Sequence, residues 1–373
     1  MLYIAYYTTA DDKRLSSPAA NAKIVSISKA IAKNDERVTV LSSCTVAKQK
    51  GFVKGRFFKL TDNVYCKQYS LFGTSFGPLR RLQYYCANAR IFLTLLFKAK
   101  KNENVVFYHA IERSFPVLWA KKIKKFRLIL EVEEVYANAS ELTPQYVAAE
   151  QKCLKSADAY IFPTKLLNDK VNTEGKPYCI IHGTYEAEPV MAVADSDKIH
   201  AVYAGTLDTL KGGAEYAVAA AEFLDEGYHI HILGFGSEEQ VNGIKQKIED
   251  VSKNTRCGVT YDGCLLGEDY LKAIQSFHIG LSTQNPNAEY NDTSFPSKIL
   301  SYMANGLKVV TVRIPVVETS AVDKYMYYYD EASGQKIADA IKKAAEAEFI
   351  DSREIINELN SEFVKEINNA LIS

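Results

Sequence analysis

The chain has 373 residues, 47% of them hydrophobic and 24% charged, which excludes a disordered or collagen-like protein and suggests two domains at roughly 150 residues each. The 45 Lys+Arg balance 45 Asp+Glu, but the balance is uneven: up to Tyr185 there are 29 basic and 15 acidic side chains (+14), and beyond it 16 and 30 (−14), so the first half should attract anions. Seven scattered cysteines without a Cys-x-x-Cys pair argue against a disulfide framework or a zinc site, no run reaches the ~20 apolar residues of a membrane span, and residues 1–7 lack the marks of a secretory leader, so a reduced cytoplasmic setting is expected.

Short runs rich in Val, Ile, Leu and Tyr alternate with stretches of helical period, the pattern of parallel sheets covered by helices. In chain order the first half reads as strand 2–7, helix 19–33, strand 38–41, helix 79–101, strand 105–108, helix 116–125, strand 128–132, helix 144–156, strand 159–162, helix 164–172 and strand 179–182. Residues 185–197, poor in periodicity and carrying Pro189, read as a linker. The rhythm resumes with strand 201–204, helix 213–225, strand 229–233, helix 238–253, strand 259–261, helix 268–277, strand 279–282, helix 296–304, strand 309–312 and helix 334–347. After a Ser352 cap candidate, Ile355, Ile356, Leu359, Phe363 and Ile367 fall at helical spacing, so 352–373 is expected to pack back onto the first domain. The expected architecture is α/β, with two doubly wound Rossmann-like domains, 1–190 and 198–350. The ligand cleft is expected at the carboxyl ends of the strands.

Three loops of the second half carry chemistry. Tyr203 to Gly213 reads Y-A-G-T-L-D-T-L-K-G-G, a strand ending at Gly205, with Thr206 and then Lys211 before the next helix, which places a cation and free N–H groups at a helix N-terminus. His229 to Glu239 puts Gly234 and Gly236 after a strand and Ser237 at a helix cap; a plain cap with acidic first-turn residues is the better expectation there. Gln284 to Gly306 supplies the hydroxyls of Thr293, Ser294 and Ser297, with Pro296 in a first helical turn and Lys298 inside it, positive potential suited to a departing diphosphate.

Together these loops resemble the nucleotide-binding domain of the retaining GT-B glycosyltransferases, the large family-4 group. That family carries Gly-Arg at a strand end with Lys-Gly five positions after the Arg, then a Gly-x-Gly loop. Two glutamates with seven residues between them follow, ahead of a Met-Ala-x-Gly and Val-Val pattern. Here Lys211 takes the Lys position, Gly234 to Gly236 the Gly-x-Gly loop, and Met303, Ala304, Gly306, Val309 and Val310 the tail. Thr206 stands where the Arg would be, and Thr293 and Ser301 stand at the two glutamate positions. The resemblance implies that Lys298 replaces the missing cation and that Phe295, beside Ser294, belongs to the donor loop. Asp292 and Glu289 are candidates for a sugar contact. It also implies a nucleoside-diphosphate sugar as co-substrate, with uridine favoured, and no metal or other cofactor.

In the first half the likeness is looser. Ser16, Ser17 and Pro18 follow the first strand, where the family brings a small-residue loop to the diphosphate and acceptor; an ordinary helix cap is the alternative. His109, after strand 105–108, is the candidate for the family's histidine near the transferred sugar, set against a structural histidine. Glu131, Glu133 and Glu134 cluster at a strand end, with Glu131 and Glu133 as acceptor candidates against solvated loop acids. His182 takes the Asn place of the family's Asn-Gly hinge segment. The basic stretches 80–81, 98–101 and 121–125 accompany a helix whose Leu79, Leu82, Cys86, Ala89, Leu93 and Leu96 share one face. That face reads either as a peripheral contact with anionic membrane or as a core face backed by a basic solvated one. No nucleic-acid module accompanies the charge.

The resemblance therefore implies a hexosyltransferase that is cytoplasmic, either free or peripheral to the inner face of a membrane. It would move a sugar from a UDP-type donor to a glycan or lipid-linked hydroxyl in bacterial-type surface polysaccharide assembly. The alternatives are a non-catalytic sugar-nucleotide or glycan-binding subunit of the same fold and, third, a sugar-nucleotide epimerase.

Overall fold

In a computed structural model the protein forms two compact units, Met1–Thr184 with Ser361–Ser373, and Tyr185–Asn360. The structure describes all residues except 10, 11, 16, 34–36, 47–50, 140, 141, 195, 196, 210, 211, 289, 290, 292, 293 and 373, and only the backbone of 138, 139 and 370–372.

The first unit is built on eight strands: β1 (Leu2–Ala5), β2 (Val38–Ser42), β3 (Phe57–Thr61), β4 (Val64–Gln68), β5 (Asn104–Tyr108), β6 (Arg127–Glu131), β7 (Ala159–Phe162) and β8 (Tyr178–Ile180). Their order is β8-β7-β6-β5-β1-β2-β4-β3, and only β3 runs antiparallel to its neighbour. The β3–β4 hairpin is absent from the sequence expectation. It turns at Asn63, which adopts φ 58°, and as a sheet edge it exposes Phe57 and shows no continuous apolar run.

The helices of this unit are α1 (Pro18–Ala32), α2 (Gly77–Lys98), α3 (Ile111–Lys124), α4 (Pro144–Lys155) and α5 (Lys165–Val171). Helix α3 starts five residues before the expected Pro116, which lies inside it. A proline there frees the carbonyl four residues back, and the Tyr84 hydroxyl of α2 donates to that carbonyl, Glu112 O, at 3.0 Å. On α2 only Ile91 and Leu95 face the core; Leu82 and Leu93, expected on one apolar face, are 56% and 47% exposed. That overturns the reading of this face as core.

The second unit contains β9 (Ile199–Thr206), β10 (Tyr228–Phe235), β11 (Gly258–Gly263), β12 (Ile279–Ser282), β13 (Lys308–Val312) and β14 (Met326–Tyr329). Their order, β11-β10-β9-β12-β13-β14, is fully parallel and is that of a dinucleotide-binding sheet. Around it lie α6 (Gly213–Ala220), α7 (Glu238–Ser252), α8 (Gly267–Gln275), α9 (Ser297–Ala304) and α10 (Gly334–Glu346). Helix α10 buries Ile337, Ala338, Ala340, Ile341 and Ala344, the spacing of one helical face, behind a Ser333 cap that accepts from Lys336 N at 3.3 Å.

Helix α11 (Ser352–Glu366) buries Ile355, Ile356, Leu359 and Phe363. Ser352 is its first residue rather than its cap, and its hydroxyl is bonded to the carbonyls of Met303 and Leu307 at 2.9 and 3.0 Å. Past α11 the Asn368 amide donates to Ala30 O at 3.3 Å in the first unit. No helix among the described residues is long and apolar enough to cross a membrane.

Candidate active site

The carboxyl end of the second unit's sheet gathers the donor-loop residues. Strands β9 and β10 pair Gly205 with Gly234 and Thr206 with Phe235. A Cβ on Gly234 would strike the Gly205 carbonyl, so Gly234 tolerates no side chain. On Gly205 a Cβ would meet Lys298, whose Nζ lies 5.1 Å from the ring centroid of Tyr203. The ammonium of α9 therefore lies across the end of β9, and the Tyr203 ring face attracts it. Tyr203 is itself fixed by donating to Thr206 O at 2.8 Å.

Helix α9 is oriented by Tyr302. Its buried hydroxyl accepts from Ala204 N at 2.8 Å and donates to Leu281 O at 3.2 Å, tying the ends of β9 and β12 to one side chain. Gly280 on β12 leaves the room that the Tyr302 ring fills. Pro296 occupies the cap position rather than the first turn, so Ser297 and Lys298 open the helix, where N–H groups lack intrahelical acceptors. Ser294, Ser297 and Ser301 are exposed, and the Ser301 side chain meets the Tyr270 hydroxyl of α8. Phe295, between Ser294 and Ser297, is buried. Lys211 and Thr293, with Asp292 and Glu289, lie outside the described residues.

The loop before α9 is held by residues that the sequence pattern did not single out. Asn291 is buried; its amide donates to Asn285 O and Pro286 O, both at 2.9 Å, while its carbonyl accepts from Gln284 Nε2 at 2.6 Å. The Tyr329 hydroxyl bridges the N–H and carbonyl of Gln284 at 2.9 and 3.0 Å. The richness of the loop in asparagine was the only available signal.

Ser237 closes a capping box with Gln240, accepting at 3.2 Å from Gln240 N, with Glu238 and Glu239 in the first turn. The plain cap expected there is what stands, and Gly236 leaves space for the Gln240 amide.

In the first unit Ser17 is the exposed cap position of α1, without a side-chain capping bond, and Ser16 lies outside the described residues. The loop before α1 is anchored by an ion pair the sequence did not reveal: Arg14 meets Asp12 at 2.8 Å, both buried, and also donates to Lys54 O and Tyr69 O. His109 is 1% exposed at the end of β5, its ring 5.2 Å from that of Tyr136. Burial lowers it to about 4, so it is a neutral imidazole at pH 7. Glu131 is fully buried and takes the Tyr3 hydroxyl, a position that braces β1 against β6. Burial first, then the Glu133 charge, raises its carboxyl to about 8. Glu133 pairs with Lys23 at 2.6 Å. His182, buried, is bonded to Pro163 O at 2.7 Å.

No protein-family model matches the chain, and no curated protein matches it. Solved structures do match. The outer-core lipopolysaccharide galactosyltransferase WaaB, apo form, aligns with a TM-score of 0.62 at 12% identity, covering 100% of this chain and 99% of that one. Anabaena HepE in complex with UDP and glucose aligns at 0.57 and 13%, covering 100% and 97%. A glycosyltransferase from Rickettsia africae aligns at 0.58 and 11%, covering 99% and 93%. This chain has the GT-B fold.

Within this GT-B chain the first unit carries a groove of about 1180 Å³ between α2 and α3, beside the ends of β2 and β4. Tyr84, Tyr85, Phe115 and Trp119 line it, all well exposed, with the Phe115 and Trp119 rings 4.9 Å apart. Arg80, Arg81 and Arg90 stand among them, and Arg113 lies buried beneath, its guanidinium donating to Asn88 Oδ1 at 2.7 Å. An apolar trough rimmed by guanidinium groups suits a molecule that is greasy along its length and anionic at one point.

Proposed function

We propose that this protein is a retaining glycosyltransferase, transferring a hexosyl group from a UDP-sugar to a hydroxyl of a glycan or lipid-linked acceptor. The observation that carries this is the Lys298 ammonium lying across Gly205 at the carboxyl edge of a Rossmann sheet in a GT-B chain. HepE, which shares that fold, is known with UDP and with UDP-glucose bound, and WaaB is a galactosyltransferase.

In the proposed step the bond between the sugar anomeric carbon and the diphosphate oxygen breaks, and negative charge grows on the leaving phosphate. Lys298, the first-turn N–H groups of α9 and the Ser297 hydroxyl meet that charge. Fixed cations in this role require no metal at the diphosphate, and Lys211 would be the second. The acceptor oxygen bonds to the anomeric carbon on the face the diphosphate leaves, and its proton passes to the departing phosphate. His109, neutral and buried at the end of β5, is the candidate for positioning the transferred sugar. The α2–α3 groove would hold the acceptor's apolar portion, with the arginines on its phosphate. This is consistent with surface-polysaccharide assembly by a protein peripheral to the inner face of a membrane.

The non-catalytic alternative draws on Thr206 and Ser301, which put a hydroxyl where the family has a cation and a carboxylate. One experiment separates them. Purified protein is screened with UDP-glucose, UDP-galactose and UDP by thermal shift and by UDP release. Stabilisation with UDP release that Lys298→Ala abolishes supports the enzyme. Stabilisation without release, with or without a glycan acceptor, supports the binding subunit, and no stabilisation by any nucleotide overturns both.

A further inference from the structure

Four of the six histidines, at positions far apart in the chain, come together at the amino-terminal ends of the second unit's strands. His200 opens β9, His229 and His231 open β10, and His278 precedes β12. Register pairs His200 with His229, and two-residue alternation puts His231 on the same side of the sheet. The imidazoles of His229 and His231 stack at 4.1 Å, and His200 Nδ1 lies 2.8 Å from His231 Nε2. One ring nitrogen from each of His200, His229 and His231 falls within 4.8 Å of the other two.

The surroundings fit an ion held by neutral imidazoles. Asp262 on β11 binds His231 Nδ1 at 2.6 Å, which leaves His231 Nε2 facing His200; a carboxylate behind a histidine is the usual support for a metal ligand. Thr260 Oγ1 lies 3.2 Å from His229 Nε2, and Phe277 backs His231 with ring centroids 4.5 Å apart. A Cβ on Gly258 would stand 2.7 Å from His229 Nδ1, so the glycine makes the space in which that ring lies. His278 is already engaged: its Nδ1 accepts from His200 N at 3.1 Å.

We infer that His200, His229 and His231 form a binding site for one divalent transition-metal ion of the zinc class, with Asp262 as the orienting carboxylate. Three imidazoles suit zinc, copper or nickel, and a solvent water would complete a tetrahedral set. Tetrahedral zinc at 2.0–2.1 Å from each nitrogen sets ligand nitrogens roughly 3.3 Å apart, so the ion would replace the 2.8 Å His200–His231 hydrogen bond, and the His229 ring would turn out of its stack on His231 to aim a nitrogen at the same ion. The His200 proton moves from Nδ1 to Nε2 through solvent, and both rings stay neutral. The cysteine pattern excludes only a thiolate zinc site, and these ligands are not spaced as a local motif. His200 and Gly205 are five residues apart on β9, about 16 Å along the strand, so the ion would brace the sheet and take no part in chemistry at its carboxyl end.

The test uses the untagged full-length chain, stripped with chelator and dialysed against Zn²⁺ or Co²⁺. One equivalent of zinc per chain is expected by elemental analysis. The Co²⁺ form should show visible bands of a nitrogen and oxygen site without thiolate charge transfer. Zn²⁺ should raise Tm in the wild type and in Cys264→Ser, which removes the exposed thiol two residues after Asp262, and not in His229→Ala/His231→Ala, which should retain less than about a tenth of an equivalent. Asp262→Asn, which keeps every ligand, should weaken affinity by about 10–100-fold. Absence of stoichiometric zinc in the wild type, a thiolate band in the Co²⁺ spectrum, or full occupancy in the double variant would each overturn the site. The wild-type measurements decide the matter even where a variant fails to fold.

Discussion

A Cβ on Gly205 would stand 2.5 Å from Cε and 3.0 Å from Nζ of Lys298, so the glycine ending β9 is what lets the α9 ammonium lie across that strand. The atoms it would displace are the far end of a flexible side chain. Gly205→Ala is therefore expected to move the ammonium rather than unfold the protein, lowering donor turnover with little change in Tm. Lys298→Ala should cost about 10²–10³ in kcat, the usual loss for one group on a developing charge. Because both act through one nitrogen, the double variant should be no slower than Lys298→Ala alone, measured as a double-mutant cycle.

Tyr302 holds Ala204 N and Leu281 O with one buried hydroxyl. Tyr302→Phe leaves both backbone groups buried without that partner and is expected to destabilise the protein by about 1–3 kcal/mol. Denaturant melts give the stability change. A loss of donor affinity larger than in an equally destabilised variant of α10 would show that the same hydroxyl sets the pose of α9.

Glu131 gives a pH signature. Burial raises its carboxyl from an ordinary 4.5 to about 8, with the Glu133 charge adding to it. Between those values the folded protein holds a proton that the unfolded chain releases, so the contribution of Glu131 to stability is complete below about 4.5 and declines as pH rises through 8. Glu131→Gln keeps an oxygen for the Tyr3 hydroxyl and removes the titration. Its Tm relative to wild type should rise from about pH 6 to about pH 9, and a pH-independent difference would rule the raised carboxyl out.

Arg80 and Arg81 lie in the groove that the aromatic side chains of α2 and α3 line. Arg80→Glu/Arg81→Glu should raise KM for an acceptor carrying a lipid diphosphate by about tenfold or more, at roughly 1 kcal/mol per basic residue, while KM for the UDP-sugar stays unchanged. The same variant should lose binding to anionic vesicles, seen by co-sedimentation, if α2 also meets a membrane.

Helix and strand periods are local properties, and most of the expected elements appear within a few residues of their places: the strands 159–162 and 279–282 coincide with β7 and β12. The loops that follow β9 and β10 and precede α9 were also legible, because Gly, Ser and Lys at a strand-to-helix junction carry their own backbone and charge requirements. The β3–β4 hairpin was not, since an edge needs no apolar run, and neither was the early start of α3, since nothing near Pro116 announces that Tyr84 on another helix will take up the freed carbonyl.

By itself, then, the sequence determined two doubly wound units, the polarity of charge between the halves and the glycine-bearing strand ends of the second unit. Only the tertiary structure decided which side chains meet. It set Lys298 over Gly205, buried Phe295 and Glu131, turned the apolar face of α2 outward and brought His200, His229 and His231 within reach of one ion. The physical reason is that periodicity and capping are set within a few residues, whereas burial and the pairing of charges depend on sheet register and helix packing between segments far apart in the chain, 128 residues for Tyr3 and Glu131.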